Sequence, residues 1–166
     1  EGLGVQRDDA EAVRWFRKAE EQGEARAHNA LAMMYSQGRG VTHDDAEAVR
    51  RFRMAAEQGI AEAQFNLGLQ YTKGNIVPQD DREALRWYRM SAENGLARAQ
   101  VSLGSMYADG RGVTRNDAEA VRWYRKAADQ GDPEAQVRLG RHYERGAGIP
   151  RDYAESIRWY RKAALQ

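Results

Sequence analysis

The sequence repeats itself every 36 residues, and this period is the feature that most limits how the chain can fold. A step of 36 residues from Trp87 reaches Trp123 and then Trp159, whereas the same step backwards reaches Arg51 and then Trp15. The step also joins a column of glycines, which are Gly23, Gly59, Gly95 and Gly131. A constant period of roughly 20–50 residues is typical of proteins built from stacked repeats. The sequence therefore predicts a repeat architecture.

The period divides residues 1–166 into a single repeat domain with one half repeat and four full repeats. The half repeat covers residues 2–23, and the full repeats cover residues 24–59, 60–95, 96–131 and 132–166. Repeat arrays need polar caps at their ends, and neither end of this chain has the composition of such a cap. We therefore expect the chain to be part of a longer array, or its ends to be covered by end-to-end self-association or by a partner.

The first half of each repeat has the spacing of a short helix, here named helix A. In the first full repeat, Ala27, Leu31, Ala32 and Tyr35 recur on one helical face. Gly38 follows at the position where a left-handed glycine commonly ends a helix. A small residue stands next to the leucine in every copy, which predicts close contact with a second helix at that point.

The second half of each repeat predicts a second helix, helix B. Asp44 can cap its first turn, and Glu47 follows at the spacing of a capping box. Gly59 ends the helix, and only about two residues then lead to the next helix A. So short a link between two helices predicts that they are antiparallel.

Two sites depart from the repeated pattern. Arg51 replaces the tryptophan of its column, and the residues Gly74–Pro78 replace a Gly-x-Gly-Val turn and lose its second glycine. Asn75 can adopt a left-handed conformation, so we expect it to rebuild this turn in a different shape. Both departures flank the second full repeat and are expected to relax its surface from the shared pattern.

The stretch from Leu103 to Ala128 reads Leu-Gly-Ser-Met-Tyr, then Gly-Arg-Gly-Val, then Trp-Tyr-Arg-Lys-Ala-Ala. This pattern is very similar to the Sel-one-like repeat (SLR), a relative of the tetratricopeptide repeat, and the match covers essentially the whole chain. The resemblance implies an all-α fold, a right-handed α-solenoid of antiparallel helix pairs with 36-residue repeats. It also implies that helix A lines the concave side.

The function that this resemblance implies is protein binding without catalysis. SLR proteins serve as adaptors in complex assembly, in degradation at the endoplasmic reticulum, and in bacterial signalling and host interaction. We therefore expect a scaffold that binds another protein or a peptide segment and uses no cofactor. An alternative is an immunity-type inhibitor that sequesters a secreted bacterial toxin enzyme, such as a lipase effector of type VI secretion. Cell-wall or polysaccharide binding is a third class, which would require exposed aromatic residues along the groove.

Residues that could carry chemistry are better explained by the architecture. The Gly-x-Gly motif follows a helix instead of a strand, and paired acids recur at every helix B start, where carboxylates cap helices. His28, His43 and His142 have no second ligand at a metal-binding helical spacing. We therefore predict no catalytic residue and no metal site.

Arginine fills two columns of helix B, which could form a basic ridge for nucleic acid. The first column lies three residues after each capping glutamate, where ion pairs form readily. The chain has 26 basic and 25 acidic residues, a net charge of +1, so we predict neither nucleic-acid binding nor a general affinity for anionic membranes. No apolar run approaches the roughly 20 residues of a membrane span. The compartment stays open between bacterial cytoplasm and periplasm, if the chain is bacterial.

The binding surface is predicted from the helix A positions that vary between copies while the core columns stay constant. Alignment with the tetratricopeptide repeat assigns these positions to the concave side. The predicted partner-binding residues are Met33, Phe65, Leu69, Val101, Val137, Asn29, Arg98 and Arg141. An apolar strip bordered by charge is typical of a site for a peptide or a partner helix. The alternative is neutral drift on an exposed face, with these side chains packing partly against neighbouring helices.

Overall fold

The computed structural model describes residues 8–166, and within this range it contains nine helices and no strand. In chain order they are α1 (Asp9–Glu21), α2 (Ala25–Gln37), α3 (Asp45–Glu57), α4 (Ala61–Lys73), α5 (Asp81–Glu93), α6 (Ala97–Asp109), α7 (Asp117–Asp129), α8 (Pro133–Arg145) and α9 (Tyr153–Ala164). Even-numbered helices are helix A and odd-numbered helices are helix B. The all-α solenoid is thus confirmed. Residues 2–7 of the predicted half repeat lie outside the described residues.

The start of each helix B is capped as expected, but the reciprocal bond of a capping box is replaced. The carboxylate of Asp44 accepts a hydrogen bond from the backbone N–H of Glu47 at 2.9 Å. The backbone N–H of Asp44 donates to the carbonyl of Tyr35 at 3.1 Å, which ties helix B to helix A. Because that donor is already used, the Glu47 side chain is free to pair with Arg50 at 2.7 Å.

The second glycine of each turn allows a close approach between successive repeats. Gly112 has a φ of 68°, and a Cβ atom there would lie 2.3 Å from the carbonyl oxygen of Asp81, at the start of the preceding helix B. Beside this contact, Arg111 forms an ion pair with Asp81 at 2.6 Å. Arg39 and Asp9 repeat the pair at 2.8 Å.

The prediction for Asn75 is wrong, because no described residue other than glycine has a positive φ. Ile76 occupies the column of the second glycine, and a side chain cannot enter the close contact made elsewhere by Gly112. The turn therefore takes another path, on which Ile76 and Val77 pack against the hydrophobic cluster around Phe52 and Leu67. Burial of apolar side chains replaces the glycine contact there.

The core contains the leucines that the repeated columns predict, whereas the helix A tyrosines, such as Tyr35, are only partly buried against it. The four leucines of helix A have no exposed surface: Leu31, Leu67, Leu103 and Leu139. The small residue next to the leucine admits an aromatic ring from the following helix B, since a Cβ atom at Gly104 would lie 2.7 Å from the Tyr124 ring. The predicted close helix contact is confirmed.

Buried glutamines connect the repeats through hydrogen bonds. Gln100 donates from Nε2 to the carbonyl of Ala92 at 3.1 Å, and its Oε1 accepts from Gln130 at 2.8 Å. Gln64 and Gln136 make equivalent bonds in their own repeats. Each glutamine satisfies polar groups on the helices B before and after it, because an unpaired buried group would cost about 1–3 kcal/mol.

In the tryptophan column, Trp87, Trp123 and Trp159 are buried, whereas Trp15 is 60% exposed. Each buried tryptophan packs on the preceding repeat, and no described element precedes α1. Arg51 takes the tryptophan position where α3 meets α1, that is, between α1 and the first described helix pair. It is only 7% exposed and is therefore the most unusual member of the column.

Arg51 is buried together with two other departures from the repeat. Glu20 stands in a column otherwise filled by alanine, and His28 stands in the column of the buried glutamines. Arg51 pairs with Glu20 and, at 2.6 Å, with Glu47. His28 Nδ1 lies 2.8 Å from Glu20, although not in a hydrogen-bonding orientation. We call Glu20, His28, Glu47 and Arg51 the charged cluster.

The arginines keep both carboxylates of the charged cluster ionised. Hydrogen bonds from Arg50 and then Arg51 lower the pKa of Glu47 to about 2, against the opposing effect of burial. Burial opposes ionisation of Glu20 as well, but the bond and charge of Arg51 hold its pKa below the ordinary value. Arginine therefore replaces tryptophan at position 51 where the neighbouring columns also change, at Glu20 and His28. The expected relaxation of the surface is not seen at Arg51, because its side chain is buried in ion pairs.

Acid should remove the contribution of Glu47 to stability. Its folded pKa of about 2 lies below the ordinary 4.5, so the contribution is complete above pH 4.5 and is lost as the pH falls towards 2. We expect Glu47→Gln to destabilise the protein at pH 7 and to approach the wild-type stability near pH 2, as measured by urea unfolding across this range. A difference that does not change between pH 5 and 2 would contradict this account.

Candidate functional site

The eight residues predicted to bind a partner all lie on even-numbered helices, but their exposure differs. Three are exposed: Met33, Arg98 and Arg141. Four are half-buried: Asn29, Phe65, Leu69 and Val137. Val101 is only 5% exposed and belongs to a core cluster, so it can offer a partner no more than the floor of a cavity. Val101 therefore packs against neighbouring helices, as the alternative interpretation expects, and is not part of an exposed apolar strip.

Phe65 contacts both an aromatic ring and a guanidinium group. Its ring lies 5.6 Å from the ring of Tyr88, at an interplanar angle of 44°. The Arg98 guanidinium carbon is 4.5 Å from the Phe65 ring centroid, the geometry of a cation–π contact. Phe65 also packs against the core cluster that contains Leu103. Phe65 is thus half-buried despite its place outside the buried stripe of helix A, and its ring orients Arg98.

A cavity of about 260 Å³ opens beside Phe65, between α4, α6 and α8. Val101 contributes to its apolar lining. Charged side chains surround the apolar part: Arg98, Arg111 and Arg138, with Asp109, Asp132 and Glu134. This volume lies below the roughly 300–1,000 Å³ of small-molecule pockets and suits one side chain of a larger partner.

A second cavity of about 300 Å³ continues along the same surface towards the end of α8. Asp109 and Arg138 line both cavities, so the two are neighbours. We call the surface of α4, α6 and α8 that contains both cavities the helix A groove. Phe65 and Arg141, two of the predicted binding residues, line the first and second cavity, respectively.

Tyrosine hydroxyls reach this groove, which the sequence does not reveal directly. Their repeated column indicates a core role, and burial indeed raises the pKa of Tyr88 and Tyr124. Yet the hydroxyl of Tyr124 donates to Ser105 at 3.1 Å, and that of Tyr88 lies 3.1 Å from the Thr72 hydroxyl. The sequence feature that could have indicated these hydroxyls is the change from Phe52 to tyrosine in the later copies of the column.

Met33 and Asn29 lie nearer the start of the chain and contact the next helix A. The amide nitrogen of Asn66 lies 3.4 Å from the Asn29 side-chain oxygen and 3.7 Å from the Met33 sulfur. These two predicted residues therefore help to join α2 to α4. Neither of them lines the two cavities of the helix A groove.

The arginines of both helix B columns have partners within the fold, and the pairing of the first column with glutamate is the one that the sequence predicts. The first column pairs with the glutamate three residues earlier in four copies: Arg50, Arg86, Arg122 and Arg158. The second column donates to the tyrosine of the next helix A in four copies: Arg17, Arg53, Arg89 and Arg125. The first column therefore makes contacts within its own helix, whereas the second column joins each helix B to the next helix A.

The described residues contain no group of three or more histidine, cysteine, aspartate or glutamate side chains placed to hold a metal ion. His142 donates from Nδ1 to the Ala147 carbonyl at 2.8 Å, and its ring packs 5.5 Å from the Tyr124 ring. His43 lies 3.2 Å from Asp45 at the surface. Between residues 8 and 166, no helix combines the length and apolar character that crossing a membrane requires.

Solved structures share this architecture at high similarity. A protective antigen present in uropathogenic Escherichia coli strains is 43% identical, with a TM-score of 0.93 over 99% of this chain and 35% of that one. A Sel1 repeat protein from Oxalobacter formigenes is 38% identical, with a TM-score of 0.90 over 99% of this chain and 68% of that one. The chain therefore spans about a third of the length of the E. coli protein.

More distant structures share only the fold. An immunity protein from Pseudomonas aeruginosa is 19% identical, with a TM-score of 0.58 over 98% of this chain and 66% of that one. At this identity the likeness carries no inference about toxin neutralisation. No protein among the curated ones matches this chain.

The model of the Sel1 repeat matches five successive segments, which together span the chain. They are residues 1–24, 25–60, 61–96, 97–132 and 133–166. This match agrees with the helix pairs, the turn glycines and the similarity to solved SLR folds. The chain belongs to the Sel1 repeat family.

Proposed function

We propose that this chain is a non-catalytic scaffold that binds a segment of another protein in the helix A groove. The observation that carries the proposal is the cavity at Phe65, which combines an apolar base with oriented charged groups. Such an arrangement suits one anchoring side chain flanked by polar contacts. The residues around it differ between copies, whereas the buried leucines of helix A and the glycines that end the helices do not.

The groove offers both parts of a protein interface. The Phe65 ring and the buried Val101 side chain give an apolar surface at the base of the cavity. Arg98 stands over the ring with its guanidinium exposed, so it can donate to a partner without losing its contact to Phe65. Arginine and aromatic residues are enriched in interfaces of this kind.

Replacing Phe65 with alanine is expected to weaken partner binding by about 2 kcal/mol, because the anchor surface and the orientation of Arg98 are lost together. Partners captured from the source lysate by the wild-type chain should be depleted from captures by Phe65→Ala. Their affinities can then be measured by calorimetry on the purified partner. Because Phe65 is half-buried, unfolding of each variant must be measured alongside.

Tyr153→Ala is a matched control for this experiment. Tyr153 is 60% exposed and also lies under an arginine, since Arg151 is 6.0 Å from its ring centroid. It begins α9, however, and lies outside the groove. Equal capture by wild type and Phe65→Ala, or equal losses in both variants, would contradict the assignment of the groove.

A further inference from the structure

Helix α8 differs from every earlier helix A in carrying a basic face. Arg138, Arg141 and Arg145 follow one another at helical spacings of three and four residues, so they lie on one side of α8. In the preceding copy these columns hold uncharged or acidic residues, namely Ser102, Ser105 and Asp109. The copy before that holds Asn66, Leu69 and Lys73.

These three arginines line the cavity of about 300 Å³ at the α8 end of the helix A groove. Arg115 enters the same cavity from the turn that precedes α7. Two carboxylates, those of Asp109 and Asp117, also line it. Four guanidinium groups therefore surround a space with two carboxylates.

The ion pairs described around the cavity involve two of its four arginines. Arg115 pairs with Asp117 at 2.9 Å, and Arg138 pairs with Glu134 at 2.7 Å. Glu134 keeps the pKa of Arg138 above its ordinary value, although burial opposes this effect. Among the residues that the structure describes, neither Arg141 nor Arg145 forms an ion pair, and both are exposed.

The acidic residues of the cavity lining and of α8 do not cancel the charge of these two arginines. Glu144, on the same helix, accepts a hydrogen bond from the Tyr160 hydroxyl at 2.8 Å and is therefore directed towards α9. Of the two lining carboxylates, Asp117 pairs with Arg115, whereas Asp109 forms no ion pair with a described residue. Two free guanidinium groups against one carboxylate leave an excess of positive charge. A guanidinium group binds a carboxylate through two parallel hydrogen bonds, so a carboxylate is the complementary group.

We propose that the occupant of the helix A groove is an acidic protein segment, a deepening of the proposed function on which this inference rests. Its carboxylates contact Arg141 and Arg145, and an apolar side chain a few residues away enters the cavity at Phe65. The two cavities share Asp109 and Arg138, so one extended segment can occupy both. Charge complementarity at one end and an apolar contact at the other give the segment its direction.

Nucleic acid fits this groove less well. A phosphate backbone carries charge at every nucleotide and gains affinity by neutralising many phosphates. Along the groove it would meet Asp109, Asp132 and Glu134 as well as the arginines. The positive excess is confined to the α8 end, which suits a segment whose carboxylates are confined to one end.

The test is a selection from a random peptide library displayed on phage, with the wild-type chain immobilised. We expect the selected peptides to carry aspartate or glutamate at a constant distance from one apolar residue. Their synthetic forms should bind the double variant Arg141→Ser/Arg145→Gln at least tenfold more weakly than wild type. Serine and glutamine occupy these columns in other copies, at Ser105 and Gln37. Affinity should also fall as sodium chloride is raised from about 50 to 500 mM.

A matched control removes the same charge elsewhere. Arg122→Ser/Arg158→Gln changes two exposed helix B arginines that pair with glutamates outside the groove, and it should bind the peptides like wild type. Circular dichroism melting should give similar midpoints for the two double variants. Peptides without acidic enrichment, binding unaffected by Arg141→Ser/Arg145→Gln, or no selected peptide at all would overturn the inference. Tighter binding of a single-stranded oligonucleotide through the same arginines would overturn it too.

The outcomes also separate this inference from the proposed function. Selected peptides that lose affinity in Phe65→Ala but not in Arg141→Ser/Arg145→Gln would keep the groove as a binding site and remove the acidic segment as its occupant. Peptides that are unaffected by both variants would remove the groove itself.

Discussion

Replacing Arg51 with alanine is expected to lower the free energy of unfolding by about 3 kcal/mol, far more than an arginine-to-alanine change at the surface. Arg51 is 7% exposed and is the partner of both Glu20 and Glu47. Its removal leaves a cavity and a partly buried Glu20 carboxylate, for which His28 is the remaining ion-pair partner among the described residues. Denaturant unfolding monitored by circular dichroism would measure the change.

A compensated variant tests the reason for this loss. Glu20→Ala/Arg51→Trp restores the residues that other copies carry, such as Ala128 and Trp123 in the same columns. Replacing a buried ion pair with packed apolar groups is often neutral or stabilising, so we expect the double variant to be at least as stable as wild type. Arg51→Ala that costs less than about 1 kcal/mol would show instead that these pairs behave like solvent-screened surface pairs.

The second large effect is expected at Gly112, where alanine should cost about 3 kcal/mol. The residue has a φ of 68°, which L-residues adopt at a cost of about 1–2 kcal/mol. Its new Cβ would also lie 2.3 Å from the backbone oxygen of Asp81, and a backbone atom cannot rotate away. The loop and the start of α5 would have to separate, which strains the Arg111–Asp81 pair as well.

Gly131→Ala is the matched control, because it has the conformational strain without the contact. Gly131 has a φ of 93°, and a Cβ there would meet no atom within 4 Å. We expect it to cost about 1–2 kcal/mol, so the difference between the two variants isolates the close approach of the repeats. Equal losses of stability in Gly112→Ala and Gly131→Ala would contradict the role of that approach.

The repeated columns allowed the helices and their stacking to be predicted because the interactions that define them are local. Leu103, Gly104 and Tyr107 lie within two turns of one helix. The cap at Asp44 accepts its hydrogen bond from Glu47, three residues later. A pattern of this length is visible in one sequence without any knowledge of the path between repeats.

The groove was less predictable, since exposure depends on the neighbouring repeats. Val101 varies between copies like an exposed residue, yet it is buried because α6 packs against α7 and α8 around it. Tyr124 repeats like a core residue, yet its hydroxyl reaches the groove. Arg138 lines both cavities but lies one column away from the positions predicted to vary for binding.

The sequence by itself determined the 36-residue unit, its two helices and the glycines that end them, because these depend on contacts within a few residues. Only the tertiary structure decided which side chains meet between units. Arg51 and Glu20 are 31 residues apart, and Ile76 packs against the core because no side chain fits the glycine contact. Such contacts depend on how one repeat is rotated against the next. That rotation results from the packing of whole helices, which no short stretch of sequence contains.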